Sequence, residues 1–376
     1  MKLRIAMHMP CKLRVAAICI LLSSCSQRFS YKEVAVPEPI PMSQRLQALF
    51  AKTKLVCFGR YAMEVPQEAE LLMGETWIPS TFEVYVGDID ALERRAKSEV
   101  EEVKRKDRTS EVKYNGVGPA PHTWQIRFFE DEFAKKAEML YFDTFIHRGD
   151  HIFIMGDAAG KTRSEAQTAE RQASFVKRLR LRLFDEVPQD PGFCVKHAFV
   201  AESMYKEQEY INAGIFLPSL PDVSFSVSSN KDAYADYDKE EFEKRWRLAL
   251  SLLGRIDAAK KSQPLTYPHR DILREGKRDV HHWHGEESLY TRKDGTHDFE
   301  WALVGTPRDV ANPSEFNVKM YSKVAHNTVG AAANVSLTDG EAVALFDRLL
   351  SGLKFRVKVP GAPPGSYYFP EDKPPK

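Results

Sequence analysis

The sequence predicts an α+β fold of two related domains, each a mostly antiparallel sheet with helices packed on one face. Three observations carry that reading. Of the 376 residues, 43% are hydrophobic and 28% charged, the composition of a globular chain with room for about two cores. Past residue 45 the chain falls into two halves that run through the same order of elements. Between them lies "EVPQDPGF", residues 186–193, rich in the Pro and Gly that interrupt regular structure.

Residues 1–24 read as a signal peptide. Lys2, Arg4, Lys12 and Arg14 make a basic start with no acidic residue, and Val15 to Leu22 is an apolar run too short to span a bilayer. Leu22-Ser23-Ser24-Cys25 follows the order of a bacterial lipobox, which makes Cys25 the candidate lipidation site; Ser26 after it agrees with sorting to the outer membrane. The expected location is the periplasm, on a lipid anchor. Residues 25–45 carry the lipidated Cys and a tether stiffened by Val36-Pro37-Glu38-Pro39-Ile40-Pro41. The whole chain has a formal net charge of +1; with the four basic residues of the signal gone, 50 basic residues face 53 acidic ones, a net of −3. That balance gives no reason to expect a nucleic-acid partner. Of the five cysteines, Cys11 and Cys19 leave with the signal and Cys25 takes lipid. Cys57 and Cys194 remain, an even pair in an oxidising compartment, so a disulfide between them is expected.

The first domain is expected over residues 46–188 and the second over 189–360. Each opens with a strand carrying a Cys, "TKLVCFGRYAMEVP" and "DPGFCVKHAFVAES". An alternating strand follows, "STFEVYVGD" in one and "VSFSVSS" in the other. Next comes a charged helix, "DALERRAKSEVEEVKRKDR" and then "KEEFEKRWRLALSLLGRIDAAKK", the second with Phe242, Trp246, Leu250 and Leu253 at helical spacing. Further strands follow, "HTWQIRFFED" and "AEMLYFDTFIHRGDHIFIMGDA" in the first half, "ESLYTRK", "FEWALVGT" and "FNVKMYSKVA" in the second. Each half closes on a helix with a T-x-x-E capping box, Thr162 with Glu165 and Thr338 with Glu341, and then a Val-Pro at 187–188 and 359–360. Residues 361–376 form an extended tail in which Tyr367, Tyr368 and Phe369 are placed to dock on the body.

No catalytic signature stands out. "HIFIMGDAAGKT", residues 151–162, resembles a phosphate-binding loop but has three residues between Gly156 and Gly160 where that loop needs four, and Asp157 would oppose phosphate. A strand-to-helix turn explains it, and the corresponding turn at Asn334 to Glu341 has no Gly-Lys-Thr. In "VHHWHGEE", His282 and His284 could chelate an ion from one strand face, yet no third ligand stands at a known spacing, so no metal is expected. There is no G-x-S-x-G nucleophile elbow. Arg178, Arg180 and Arg182 alternate with leucines, as on a helix surface or strand edge, and do not point to nucleic acid. No cofactor is expected.

An exported, duplicated chain without catalytic residues points to binding. The opening Cys57-Phe58-Gly59-Arg60 with Val65-Pro66, then "FEVYVGD", "PGFC" and "FNVKMYSK", resembles the Tli-type immunity proteins of type VI secretion lipase effectors, those of the fourth Tle class. The resemblance spans about residues 50–358, as two consecutive family domains. It implies a non-enzymatic periplasmic protein whose two domains form a claw around a cognate lipase, blocking its lid and its active site. A lipid tether would raise its local concentration beside the lipase's substrate. The expected binding surface is the cleft between the units; no contact residue carries over. Trp77, Trp124 and Trp283 are of the type that dominates interfaces, although a core role is the expectation for each. The alternatives are an envelope lipoprotein with a scaffolding or assembly role and, more remotely, a periplasmic enzyme without a recognisable motif.

Overall fold

The computed structural model describes residues 38–322 and 334–370. The signal peptide, Cys25, most of the tether and the end of the tail lie outside these residues.

The first half opens as a hairpin of β1 (Thr53–Phe58) and β2 (Tyr61–Pro66). Its turn requires Gly59: φ is +55°, and a Cβ there would meet Ile211 Cγ2 at 3.1 Å. After β3 (Glu70–Trp77) comes a five-stranded antiparallel sheet. It is built from β4 (Phe82–Val86), β5 (Glu111–Val117), β6 (Thr123–Phe129), β7 (Leu140–Arg148) and β8 (His151–Ala159), in the order β4-β8-β7-β6-β5. Helix α1 (Ile89–Lys106) is capped by the Asp88 side chain and lays Leu92, Ala96, Val100 and Val103 on Ile126, Phe145, Ile152 and Ile154. Helix α2 (Glu165–Arg178) covers the opposite face, with Phe175 5.7 Å from Phe82 and Gln172 donating to the Phe142 carbonyl.

The sheet is therefore covered on both faces, not on the one face expected. The reason is visible in "HIFIM": Ile152 and Ile154 point one way and Phe153 and Met155 the other, a continuous apolar run that must be buried twice.

The second half opens on the hairpin β10 (Gly192–Val195) and β11 (Ala198–Ala201). It builds a seven-stranded sheet from β12 (Tyr210–Phe216), β13 (Val223–Asn230), β14 (Asp271–Val280), β15 (Trp283–Thr291), β16 (His297–Leu303) and β17 (Glu315–Ser322), in the order β14-β15-β16-β17-β13-β12-β3. Helix α3 (Leu252–Ser262) packs Leu252, Leu253 and Ile256 on Ala302, while α4 (Asp339–Ser351) sets Phe346 against Phe225 and Phe299 on the other face. The single charged helix expected over residues 239–261 is broken. Phe242–Trp246 is a π turn, and Ser251 is extended, with its side chain capping α3 at the Gly254 N–H.

The capping boxes divide. Thr338 and Glu341 cap α4 reciprocally, as the motif reads. In the first half the box is Ser164 with Gln167, not Thr162 with Glu165. Gly160 and Arg163 pair backbone to backbone and enclose Thr162 in a tight turn, so the next hydroxyl takes the cap.

The halves exchange their last strands. β9 (Leu179–Leu181) ends the first half but pairs with β11; β18 (Leu353–Val357) ends the second but pairs with β2. β3 likewise joins the sheet of the second half. The tail strand β19 (Tyr367–Phe369) adds in parallel to β18. The two hairpins meet where Gly59 and Cys194 exchange backbone hydrogen bonds of 2.8 Å, and the Cys57 and Cys194 sulfurs are bonded beside that pair. Buried Arg356 of β18 donates to the carbonyls of Pro188 and Gly192, holding the joint; burial lowers its pKa to about 9. Phe58, Tyr61, Phe193, Trp283, Phe316 and Phe355 belong to one core that both halves share.

Candidate functional site

The exchange of strands sets the halves side by side and leaves a cleft of about 690 Å³ between them. Its first wall is the end of β8. Because β4 begins only at Phe82, the edge of β8 that faces away from β7 runs past Met155 without a strand on that side; there the Gly156 N–H donates to the Thr81 carbonyl and nothing more regular follows. Asp157 is held by Arg163 at 3.0 Å and Arg171 at 3.2 Å, and Arg171 also donates to the Pro79 carbonyl, fixing loop 78–81 at the rim.

The second wall is made of loops. Lys206, Glu207 and Gln208 line it, with Asp232, Ala235, Asp236 and Arg308. Glu207 pairs with Arg178 of α2 at 3.5 Å, an ion pair between the two halves, and Asp232 with Lys231 at 3.4 Å. Among the described residues, the side chains of Lys206, Asp236 and Arg308 make no ion pair and stay available to a partner.

Loop 202–209 has no regular structure of its own and is drawn together at its base by Arg60. The guanidinium donates to both carboxylate oxygens of Glu209, at 3.1 and 2.5 Å, to the Glu202 carbonyl at 2.7 Å and to the Glu202 carboxylate. It also stacks 4.5 Å from the centre of the Tyr205 ring. Buried charge of this kind is tolerated only when fully paired, as here.

Asp143 of β7 lies against bare Gly156, its Oδ1 3.4 Å from where a Cβ would stand. Burial, with the carboxylates of Glu99 and Glu83 nearby, pushes the Asp143 carboxyl up to about 7. Glu130 acts in the same direction and Lys106 against it. A raised carboxyl pKa stabilises the fold below the unfolded value, near 4, and that contribution is lost as the pH rises toward 7. Asp143→Asn removes the titration. Urea unfolding of the variant is therefore expected to gain on wild type between pH 5 and pH 8; a constant difference across that range would rule this out.

The residues singled out in the sequence go elsewhere. His281 and His282 bond to the carbonyls of Ser351 and Ala311, His284 to Asp279, and Glu287 to Arg274. His282 sits in the turn before β15, so it does not share a strand face with His284. Among the described residues no three His, Cys, Asp or Glu side chains are grouped to hold a metal ion, and no helix is long and apolar enough to cross a membrane. Trp283 is fully buried; Trp77 and Trp124 are half-buried, bonded to Glu75 and Asn115. Gly156 and Asp157 stand in the stretch read as a strand-to-helix turn; the rest of the cleft went unseen in the sequence because its residues come from strands, a helix and loops of both halves and share no spacing.

Two family models match the chain: the Tle cognate immunity protein 4 N-terminal domain over residues 54–182, and its C-terminal domain over residues 186–358. No curated protein matches the sequence. Among solved structures, the fold is similar to the apo structure of the immunity protein TplEi of the type VI secretion system from Pseudomonas aeruginosa. That match has a TM-score of 0.63 and 20% identity, and covers 81% of this chain and 97% of that one. It is also similar to a chain of the Tle4–Tli4 complex, with a TM-score of 0.65 and 21% identity, covering 81% and 98%. A further similar structure is TplEi complexed with an "L" peptide, with a TM-score of 0.61, 20% identity and coverage of 81% and 98%.

Proposed function

The chain belongs to the Tle cognate immunity protein 4 family, and from that premise we propose that it binds and inhibits a cognate type VI secretion phospholipase effector in the periplasm. The family is one of immunity proteins, not of enzymes. The observation that carries the reading is the cleft: two walls from two halves, polar, open, and lined by charged side chains of which Lys206, Asp236 and Arg308 make no ion pair among the described residues. A segment of the phospholipase that must move for substrate to enter would seat there, and holding it would block lid opening and access to the active site.

In this reading the signal peptide exports the chain to the periplasm and Cys25 carries the lipid that holds it at the outer membrane. The Cys57–Cys194 bond forms in that oxidising space. Residues 46–188 and 189–360 act as two arms. Shared strands and core make the arms one stiff body, which suits a clamp that must be pre-shaped.

A competition assay tests the function. A strain lacking this gene, grown against its effector-delivering parent, is expected to be killed, and a plasmid copy to restore survival. Survival of the deletion strain would contradict the reading. Cys25→Ala in the plasmid copy is expected to weaken protection by removing the anchor.

A further inference from the structure

Arg60 is 3% exposed, lies in the first half, and takes no part in the cleft surface. Its partners nevertheless bracket the cleft's second wall. Glu202 directly follows β11 and Glu209 directly precedes β12, so one guanidinium draws together the two ends of the loop between them. The grip continues into the loop. The Glu202 carboxylate accepts from the N–H groups of Met204 and Tyr205, at 2.6 and 3.0 Å. Lys231 donates to the Tyr205 carbonyl at 3.1 Å, and Asp232 accepts from the Glu209 N–H at 3.2 Å. The Arg308 N–H donates to the Lys231 carbonyl at 3.0 Å. The tip that results displays Met204, 64% exposed, beside Lys206, Glu207 and Gln208.

We propose that Arg60 is a positioning residue for partner recognition: it cinches loop 202–209 into the shape that the effector binds, without touching the effector. The proposal rests on the reading that the cleft receives the phospholipase. The chemistry asks for arginine. A planar fork can place Nε and Nη2 on one carboxylate while reaching a carbonyl and a second carboxylate; a lysine ammonium is a point charge on a flexible stem and cannot span all three. A loop fixed before binding loses less conformational entropy on binding, so loosening it weakens affinity even with every contact residue intact.

The test uses the full mature protein, with hydrogen exchange and effector affinity read on the same samples. Arg60→Lys keeps the charge and loses the fork. Exchange at residues 203–209 is expected to quicken at least tenfold, with the strands of the five-stranded sheet unchanged. Affinity for the cognate phospholipase is expected to fall at least tenfold. Wild-type exchange in the loop of folded Arg60→Lys would overturn the proposal. So would a loosened loop with unchanged affinity. Should Arg60→Lys fail to fold, Glu209→Gln weakens the same grip from the loop side, and unchanged loop exchange in it would overturn the proposal equally. Lys206→Glu is the control on the lip surface: it is expected to weaken binding while leaving loop exchange as in wild type. If wild type itself binds no phospholipase, the proposed function fails, and the exchange arm still judges whether Arg60 holds the loop.

Discussion

Replacing both Cys57 and Cys194 by serine is expected to lower the unfolding free energy by about 5 kcal/mol. The bond closes a loop of 137 residues, and the chain-entropy estimate rises with the logarithm of that length. The loss falls on the unfolded chain. In the folded protein Gly59 and Cys194 still exchange two backbone hydrogen bonds, and β9 and β18 still tie each half to the hairpin of the other. The serine variant should therefore keep its circular dichroism and its effector affinity at 25 °C while unfolding at much lower denaturant. A change below about 1 kcal/mol would mean that the bridge does not restrict the unfolded chain as the loop length requires. Digestion of the non-reduced mature protein should yield the two cysteine peptides joined.

Trp283→Ala is expected to cost about 3–5 kcal/mol, the range for deleting a fully buried large aromatic. Trp283 is wholly enclosed, with ring centres of Phe316 and Phe355 at 4.9 and 5.2 Å and an indole N–H donating to the Ala311 carbonyl at 2.8 Å. Tyr61 of the first hairpin touches its edge at 6.1 Å, so the side chain joins material from both halves. Effector affinity of the folded variant should be unchanged, because nothing of Trp283 reaches the cleft. A loss of affinity at undiminished stability would put the residue at the interface instead. Equilibrium unfolding in guanidinium with a binding titration reads both.

How much was legible in the sequence follows from how local each signal is. Thr338 and Glu341 could be read directly, since a capping box is complete within four residues. The same motif misled at Thr162, where a tight turn between Gly160 and Arg163 moved the cap to Ser164. The duplication was legible because each half repeats the same order of patterns. Strand exchange was not: β9 and β18 carry no mark of which hairpin they will join; Leu181 pairs with Ala198 across the joint between the halves, and Leu353 reaches back to Met63 near the start of the first half. Arg60 stands in the Cys57-Phe58-Gly59-Arg60 stretch that opens the family resemblance, yet its task depends on Glu202 and Glu209, some 140 positions away. The cleft is the extreme case, a surface made only when a strand end of one half meets the loops of the other.

Inhibition of a phospholipase by this surface can be read directly. The most direct measurement is hydrolysis of phospholipid vesicles by the cognate phospholipase, titrated with the mature protein and with a Lys206→Glu, Arg308→Glu double variant. These two cations line the cleft and have no ion-pair partner among the described residues, so reversing them should leave the fold intact. Wild type is expected to abolish hydrolysis at a one-to-one ratio, and the variant to need at least tenfold more protein. Hydrolysis that persists at excess wild type, or a variant that inhibits as well as wild type, would contradict inhibition by this surface.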